Sequence, residues 1–455
     1  MSVRVSAVIL AAGKGTRMKS RTPKVLHELC GKTMLDHVIL TVAKSGVDPS
    51  KVAVVISPEL EDPLDKLYAS GLHTVVQSPQ NGTGHAVQLA LDELPGADPV
   101  LIVNADMPLL TDRLLSAVVE VRARAKAAVA MLTVEMAGST FGRIIRKSGR
   151  PVRIVEHSDA TPDERLITEV NAGVYCFDSS ALRSYLTKLH ASNKQKELYL
   201  TDCIQLAVES GALVEAVTTR DRASALGVNT LAELATARNV MRRRILRRHM
   251  LAGVSIVDPA TTYVDVDADI APDVTLFPQT HVLGSSVVGA GSRIGPNTTL
   301  HNAMIGDDVT ISYSVVRDSA VARGVTVGPF AHIRGGSRIQ QDARIGNFVE
   351  VKSTTVGRKA KASHLAYLGD AEIGDETNIG AGTITCNYDG ARKHKTKVGR
   401  RALIGSNSSL VAPVEIGDGA LTGAGSVVTH DVPAGERVAG NPARPLPKKE
   451  QTEKN

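Results

Sequence analysis

Between residues 264 and 428 an aliphatic side chain recurs about every six positions, often with Gly next to it. Val282, Val288, Ile294 and Leu300 step by six, and so do Ile333, Ile339, Ile345 and Val351. Val398, Ile404, Leu410, Ile416 and Val428 keep the spacing, with Thr422 in the one slot that is not aliphatic. An amphipathic helix repeats near 3.6 and a single strand alternates at 2, so neither explains this period alone. Six fits a solenoid of short strands on flat faces, each face sending one aliphatic side chain inward. Gly follows at 289, 295, 346, 399, 405 and 417, where its freedom is expected to let the chain turn the corner. Three faces make a coil of about 18 residues, hence about nine coils, which at roughly 4.8 Å per step extend about 40 Å.

The period slips by one from Leu300 to Ile305, Val351 to Val356 and Leu368 to Ile373. It stops after Ile379 and Thr385 and resumes at Val398. Residues 386–396, CNYDGARKHKT, are polar, basic and too long for a corner, which predicts a projecting loop that carries binding groups.

The first half reads differently. Short aliphatic runs at 3–10, 52–56, 73–77, 100–103, 129–134, 174–177 and 214–217 alternate with helical patterns such as 34–44, 84–93 and 112–126. That alternation predicts a mostly parallel sheet covered on both faces, with ligands beyond the carboxyl ends of the strands. Residues 229–251 carry Leu231, Leu234, Ala235, Val240, Met241, Ile245 and Leu246 near helical spacing, predicting one long linking helix. Its arginines have no aromatic platform beside them, so the basic face reads as solvated rather than as a nucleic-acid surface.

With 455 residues and 43% hydrophobic content the chain can build more than one core, and with aromatics at 3% and no Trp those cores must be aliphatic. The formal net charge of +6 suits phosphorylated substrates and is too weak to demand nucleic acid. Cys30, Cys176, Cys203 and Cys386 have no paired spacing and read as reduced thiols of a cytoplasmic protein. An apolar run begins by residue 5, predicting no secretory leader, and no run is long enough to predict a membrane span.

After the first apolar run comes AAGKGTRMKSRTPKVL. Gly13 and Gly15 let the backbone bend around an anion, and Lys14, Arg17 and Lys24 add charge to neutralise phosphates. The spacing is not that of a Walker A loop. The stretch LAAGKGTR followed by Pro23-Lys24 resembles the signature of sugar-phosphate nucleotidyltransferases. Gln77 with GTGHA at 82–86 resembles that family's base-reading loop. Together with the repeat and the motifs SHLAYLGDAEIG and GAGTITCNYDG, the likeness covers residues 4 to 440 and narrows to bifunctional uridylyltransferase/acetyltransferases of amino-sugar 1-phosphates.

The resemblance implies an α/β organisation in four parts. These are a Rossmann-like uridylyltransferase domain (1–228), a linker helix (229–251), a left-handed parallel β-helix acetyltransferase domain (252–444) and a disordered tail (445–455). The handedness comes from the resemblance alone. The implied reactions are acetyl transfer from acetyl-CoA to glucosamine-1-phosphate, then uridylyl transfer from UTP with release of pyrophosphate. For uridylyl transfer it implies nucleotide and sugar contacts from Leu10, Ala11, Gly13, Lys24, Gln77, Gly82, Thr83, Gly142, Glu156, Asn171 and Asn229. Arg17 and Lys24 would offset phosphate charge, and Asp106 with Asn229 would hold Mg2+. For acetyl transfer it implies His364 as general base, a role its ordinary pKa range suits. Arg334, Lys352, Tyr367 and Asn378 would hold the sugar phosphate, and Ala381, Asn387, Tyr388, Lys393, Ser406, Ala424 and Arg444 would serve acetyl-CoA. A homotrimer acting on small molecules, with neither nucleic acid nor membrane as partner, is the implied assembly. One departure stands out: the family carries Tyr-Gly before the metal aspartate, and this chain has Asn104-Ala105. A non-catalytic scaffold would be expected to have lost His364 or Asp106. A glucose-1-phosphate nucleotidyltransferase with a structural rod would not need the GAGTITCNYDG loop.

Overall fold

The computed structural model describes residues 4–61, 71–94, 96 and 98–446. The chain divides into two compact units, 1–241 and 242–455, and the division falls within the helix Leu231–Leu251.

In the first unit seven strands follow one another across a sheet. Their order is Val214–Thr219, Val129–Glu135, Glu169–Phe177, Val100–Asn104, Ser6–Leu10, Val52–Ile56 and His73–Val76. All neighbours are parallel except Glu169–Phe177, which runs against both of its partners. A side hairpin, Arg143–Lys147 with Arg150–Val155, joins the sheet through Val170 and Arg143. The central strand shows why helices must cover both faces. Ala7 and Ile9 pack with Leu35, Val38 and Val42 of the helix Met34–Lys44, while Val8 packs with Val87, Ala90 and Leu91 of Thr83–Glu93. Each of these strand residues is fully buried, the continuous apolar pattern of a strand covered twice. Helix Met34–Lys44 starts where the sequence places it because Thr33 and Asp36 form a capping box.

The second unit stacks coils of short parallel strands, as the six-residue period requires. One face is a nine-stranded parallel sheet, from Asp269–Ile270 to Val414–Ile416. The other two faces are joined by two long strands, Arg344–Lys352 and Lys361–Gly369, which continue across a corner. The repeat aliphatics point inward: Val282, Ile294, Leu300, Ile333, Ile345, Val351 and Leu410 are fully buried.

The expectation for the glycines needs correction. Gly289, Gly399, Gly405 and Gly417 do not adopt left-handed backbone. A Cβ on Gly289 would lie 2.6 Å from the carbonyl carbon of Gly306, and one on Gly405 would lie 2.5 Å from that of Gly423. These glycines are demanded by the next coil's close backbone, not by a turn. Of the expected set Gly295 does take a left-handed turn, at φ +104°, and left-handed turns also fall on non-Gly residues, including Asn297, Tyr313, Phe330, Phe348 and Leu365. These succeed one another along one corner, linked by Tyr313 N–H to Pro296 O, Phe330 N–H to Tyr313 O and Phe348 N–H to Phe330 O. Tyr313 packs tilted against Phe330 at a ring-centroid distance of 5.7 Å, Phe330 stacks on Phe348 at 5.4 Å, and all three remain exposed, as does Leu365.

Of the expected disordered tail, residues 447–455 lie outside the described residues. Its expected first residue, Pro445, is ordered: Arg444–Pro445 pairs antiparallel with Val438 and Ala439.

Candidate functional sites

A cavity of about 550 Å³ opens at the carboxyl end of Ser6–Leu10. It is lined by Leu10, Ala11, Gly13, Arg17, Lys24, Gln77, Gly82, Thr83, Asp106 and Asn229 of the sequence-expected set. Its centre is a cation held between two oxygens. Lys24 Nζ donates to Asp106 Oδ2 at 2.6 Å and to Asn229 Oδ1 at 2.7 Å, and Arg17 Nη2 donates to Asn229 Oδ1 at 2.8 Å.

Backbone contacts anchor the two residues that carry these oxygens. Ala105 N–H donates to Leu10 O, and Val228 N–H donates to Asp106 O. Glu233 Oε2 accepts from the N–H groups of Asn229 and Thr230 while Thr230 Oγ1 accepts from Glu233 N–H, a capping box that pins Asn229 at the start of Leu231–Leu251. Gly15 has φ +60°, and a Cβ there would lie 2.6 Å from Lys24 Cβ, so only glycine brings this loop onto the lysine. Gly82, at φ +105°, likewise lies under the backbone of Leu198. Gln77 is buried and donates to Gly82 O at 2.9 Å, and Thr83 Oγ1 accepts from Leu200 N–H.

Gly142, Glu156 and Asn171 form a second group in the same unit and do not line that cavity. Asn171 N–H donates to Gly142 O, Asn171 Nδ2 donates to Tyr175 OH at 2.6 Å, and Thr201 Oγ1 donates to Glu156 Oε1 at 3.3 Å. A Cβ on Gly142 would lie 2.8 Å from Ile154 Cγ2 and 3.3 Å from Glu156 Oε1, so glycine lets the two segments approach this closely. Burial pushes the Glu156 carboxyl above its usual range, and the neighbouring Asp202 and Asp159 add to the rise. Asn104 joins the two groups: it lines the cavity, and its amide packs on Gly173 beside Asn171.

Sequence reasoning missed Gln80, Gln195 and Glu197, which also line the cavity. Gln80 Nε2 donates to Ala12 O at 2.7 Å, closing the glycine-containing loop from the far side. No motif marks these three; they arrive through loops that cross the strand ends.

In the second unit His364 lies mid-strand at the corner that continues the aromatic column. Its Nδ1 lies 2.6 Å from Asn347 Oδ1, on the adjacent coil and in register with it. An amide oxygen only accepts, so Nδ1 carries a proton, and in the neutral ring the lone pair then falls on Nε2. Ala381, Ser406 and Ala424 follow on successive coils of this corner, with Asn407 N–H donating to Ala381 O and Gly425 N–H to Ser406 O. Arg444 pairs with Ala439 at the end of the column and is exposed.

Arg334, Lys352 and Gly369 align in register on three coils further along the next face. Arg334 donates to Glu350 Oε1 from Nε at 2.9 Å and from Nη2 at 2.5 Å. Tyr367 OH and Asn387 Nδ2 converge over Gly369, where any Cβ would collide with both. Asn387 Nδ2 donates to Asp370 Oδ2, while the Tyr388 side chain is 61% exposed. The loop 386–396 is a small hairpin bridged at Tyr388 and Lys393. Asp389 knots it, accepting from the N–H groups of Ala391 and Arg392 and from His394 Nε2. Lys393 stands beside Lys352, lowering that ammonium's pKa through hydrogen bonding first, with desolvation and charge repulsion adding to it. Asn378 is exposed on the adjacent face, paired with Lys361 and Leu403, and is not brought to Arg334 and Lys352 within the chain.

Comparison with known proteins places these features. Residues 7–201 match the MobA-like NTP transferase domain family, and residues 395–430 match the bacterial transferase hexapeptide family of six repeats. A protein of Streptococcus thermophilus named Bifunctional protein GlmU is 46% identical over 431 residues, covering 94% of this chain and 93% of that one. Proteins of the same name from Halalkalibacterium halodurans and from a Nostoc species are 46% and 43% identical, each alignment covering 94% of both chains.

Proposed function

The chain belongs to the family of bifunctional GlmU proteins, and on that premise we propose that it makes UDP-N-acetylglucosamine by two transfers at two separate sites. The observation that carries the proposal is the pairing, in one chain, of a cation-centred cavity (Lys24, Asp106, Asn229) with a corner histidine whose Nδ1 is tied to an amide oxygen.

In the second unit the amine of glucosamine-1-phosphate attacks the thioester carbonyl carbon of acetyl-CoA. His364 Nε2 accepts the amine proton as the N–C bond forms. The C–S bond breaks, and the thiolate leaves and takes a proton. Asn347 holds the ring in the tautomer this needs. Arg334, Lys352 and Lys393 supply positive charge for the sugar phosphate, Arg334 as a planar fork and the lysines as point charges. The corner of Ala381, Ser406 and Ala424 offers small side chains and coil-edge backbone along which a pantetheine arm can lie, and Arg444 waits at its end for a CoA phosphate. Asn387 and Tyr388 shape the entry.

In the first unit the phosphate oxygen of N-acetylglucosamine-1-phosphate attacks the α-phosphorus of UTP and pyrophosphate leaves. Such a transfer needs positioning and charge neutralisation more than covalent help. Arg17 and Lys24 face the phosphates, Gln77, Gly82 and Thr83 the base, and Gly142, Glu156 and Asn171 the sugar. Two hard oxygens already converge on one cation at 2.6 and 2.7 Å, which is the donor chemistry Mg2+ uses. Among the described residues no group of three or more His, Cys, Asp or Glu forms a metal cage, which suits an ion that takes its remaining ligands from phosphates and water. Asp106 and Asn229 would hold Mg2+, which would supply positive charge to offset that of the phosphates.

Homotrimers complete the reading. Exposed aromatics continuous with the His364 corner, and Asn378 on a face away from Arg334, both suit a site finished by a neighbouring copy. No helix among the described residues is long and apolar enough to cross a membrane, and the cytoplasm, where UTP and acetyl-CoA are available, is the proposed location. The test is incubation with glucosamine-1-phosphate, acetyl-CoA, UTP and Mg2+, each omitted in turn. UDP-N-acetylglucosamine appears only in the complete mixture; product formed without acetyl-CoA refutes the sequence of steps.

A further inference from the structure

Lys24 occupies the point on which the proposed metal oxygens converge. Its ammonium lies 2.6 Å from Asp106 Oδ2 and 2.7 Å from Asn229 Oδ1, and the Lys24 and Asp106 side chains are only 11% and 24% exposed. We propose that Lys24 is a placeholder cation that keeps a divalent ion out of the Asp106–Asn229 pair until phosphate groups draw the lysine away, so that metal and triphosphate bind as one coupled event. The inference rests on the metal reading given above.

Three observations lead there. First, the two residues that carry the oxygens are anchored through their backbones. Asp106 is clamped through Val228 N–H and Asn229 through Glu233, whereas Lys24 reaches them on a flexible four-carbon stem. Exchange of one cation for another therefore moves the lysine and not the ligands. Second, the two cations cannot share the position, because an ammonium at hydrogen-bond distance from both oxygens fills the space a metal ion needs and repels its charge. Third, the displaced charge has a destination. Arg17, Lys14 and Lys24 all line one cavity with the open backbone of Gly13, where a triphosphate offers each of them an anionic partner. A ligand that pulls Lys24 off the oxygens raises metal affinity, and by reciprocity the metal raises affinity for that ligand. The arrangement guards the reaction: metal does not occupy the site without the substrate whose charge it offsets.

The test is Mn2+ titration of the full-length protein in the absence of nucleotide, followed by the electron paramagnetic resonance of free Mn2+. The parent, Lys24→Met, Lys24→Gln and the double variants that add Asp106→Asn to each Lys24 variant are compared, with thermal unfolding run on each to show that it is folded. Lys24→Met and Lys24→Gln are expected to bind Mn2+ tighter than the parent by about 5- to 150-fold, the usual span of coupling between sites. Adding Asp106→Asn to Lys24→Met is expected to abolish that tighter binding. If either folded Lys24 variant binds Mn2+ no tighter than the parent while adding Asp106→Asn to it still weakens binding, the placeholder is refuted and the metal site stands. If the double variant binds Mn2+ as tightly as Lys24→Met, the metal assignment itself fails and takes the inference with it.

Discussion

At Glu156 stability and function oppose each other. Its carboxyl is shielded beside Asp159 and Asp202, and its pKa is raised by burial first and by those charges second. A raised pKa means that the folded chain holds the proton to higher pH than the unfolded chain does. Stability therefore falls as pH climbs from the ordinary carboxylate value, about 4.3, through the folded value. Glu156→Gln removes this cost. Its melting temperature is expected to exceed the parent's at neutral pH, with the gap closing as pH falls toward 4, while the KM for the sugar phosphate in uridylyl transfer rises. A gap that does not change with pH would refute the argument. Asn347 works through another residue: Asn347→Ala frees the His364 ring to take either tautomer. Acetyl transfer is expected to drop, by no more than the roughly 10²- to 10⁴-fold a general base supplies. The pH–rate profile should shift with it, and uridylyl transfer should stay at the parent rate.

At the scale of elements, the coil is the unit of reasoning. Gly405 lies against Gly423 carbonyl carbon and Ala424 N, at 2.5 and 2.6 Å from where a Cβ would stand. Gly405→Ala must push two coils apart, so a loss of about 1–3 kcal/mol is expected, the range for overpacking a filled interior. Urea unfolding of the variant measures it, and an unchanged midpoint would contradict the coil contact. Periodicity made the coils legible because each inward position is a separate aliphatic, and helix Met34–Lys44 was legible from its helical pattern, with the capping box at its start seen only in the structure. The antiparallel strand Glu169–Phe177 and its side hairpin were not, since pairing direction leaves no trace in an apolar run. In the sites, motif residues such as Lys24, Asp106 and His364 could be read from their neighbours in sequence. Asn347 and Glu350 could not, because nothing local distinguishes them. The signal was in the repeat: Asn347 precedes His364 by 17 positions, one coil, and Glu350 precedes Tyr367 by the same step. Gln195 and Glu197 reach the cavity on an irregular loop, where spacing predicts nothing.

For the whole molecule the account predicts assembly and independence together. The exposed column of Tyr313, Phe330, Phe348 and Leu365 is the surface proposed to meet a second copy, and a patch of large apolar groups in one row is unusual on a monomer. Phe348→Glu is expected to convert trimers to monomers in light scattering and to depress acetyl transfer, whose site needs a neighbour, while leaving uridylyl transfer intact. A monomeric parent protein would remove that claim. Independence of the two chemistries is the central claim, and a mixing assay tests it most directly. His364→Ala and Asp106→Ala are each supplied with glucosamine-1-phosphate, acetyl-CoA, UTP and Mg2+, first alone and then together. The account predicts almost no UDP-N-acetylglucosamine from either variant alone, accumulation of N-acetylglucosamine-1-phosphate with Asp106→Ala only, and restored product in the mixture. Loss of both activities in either variant, or no product from the mixture, would contradict it.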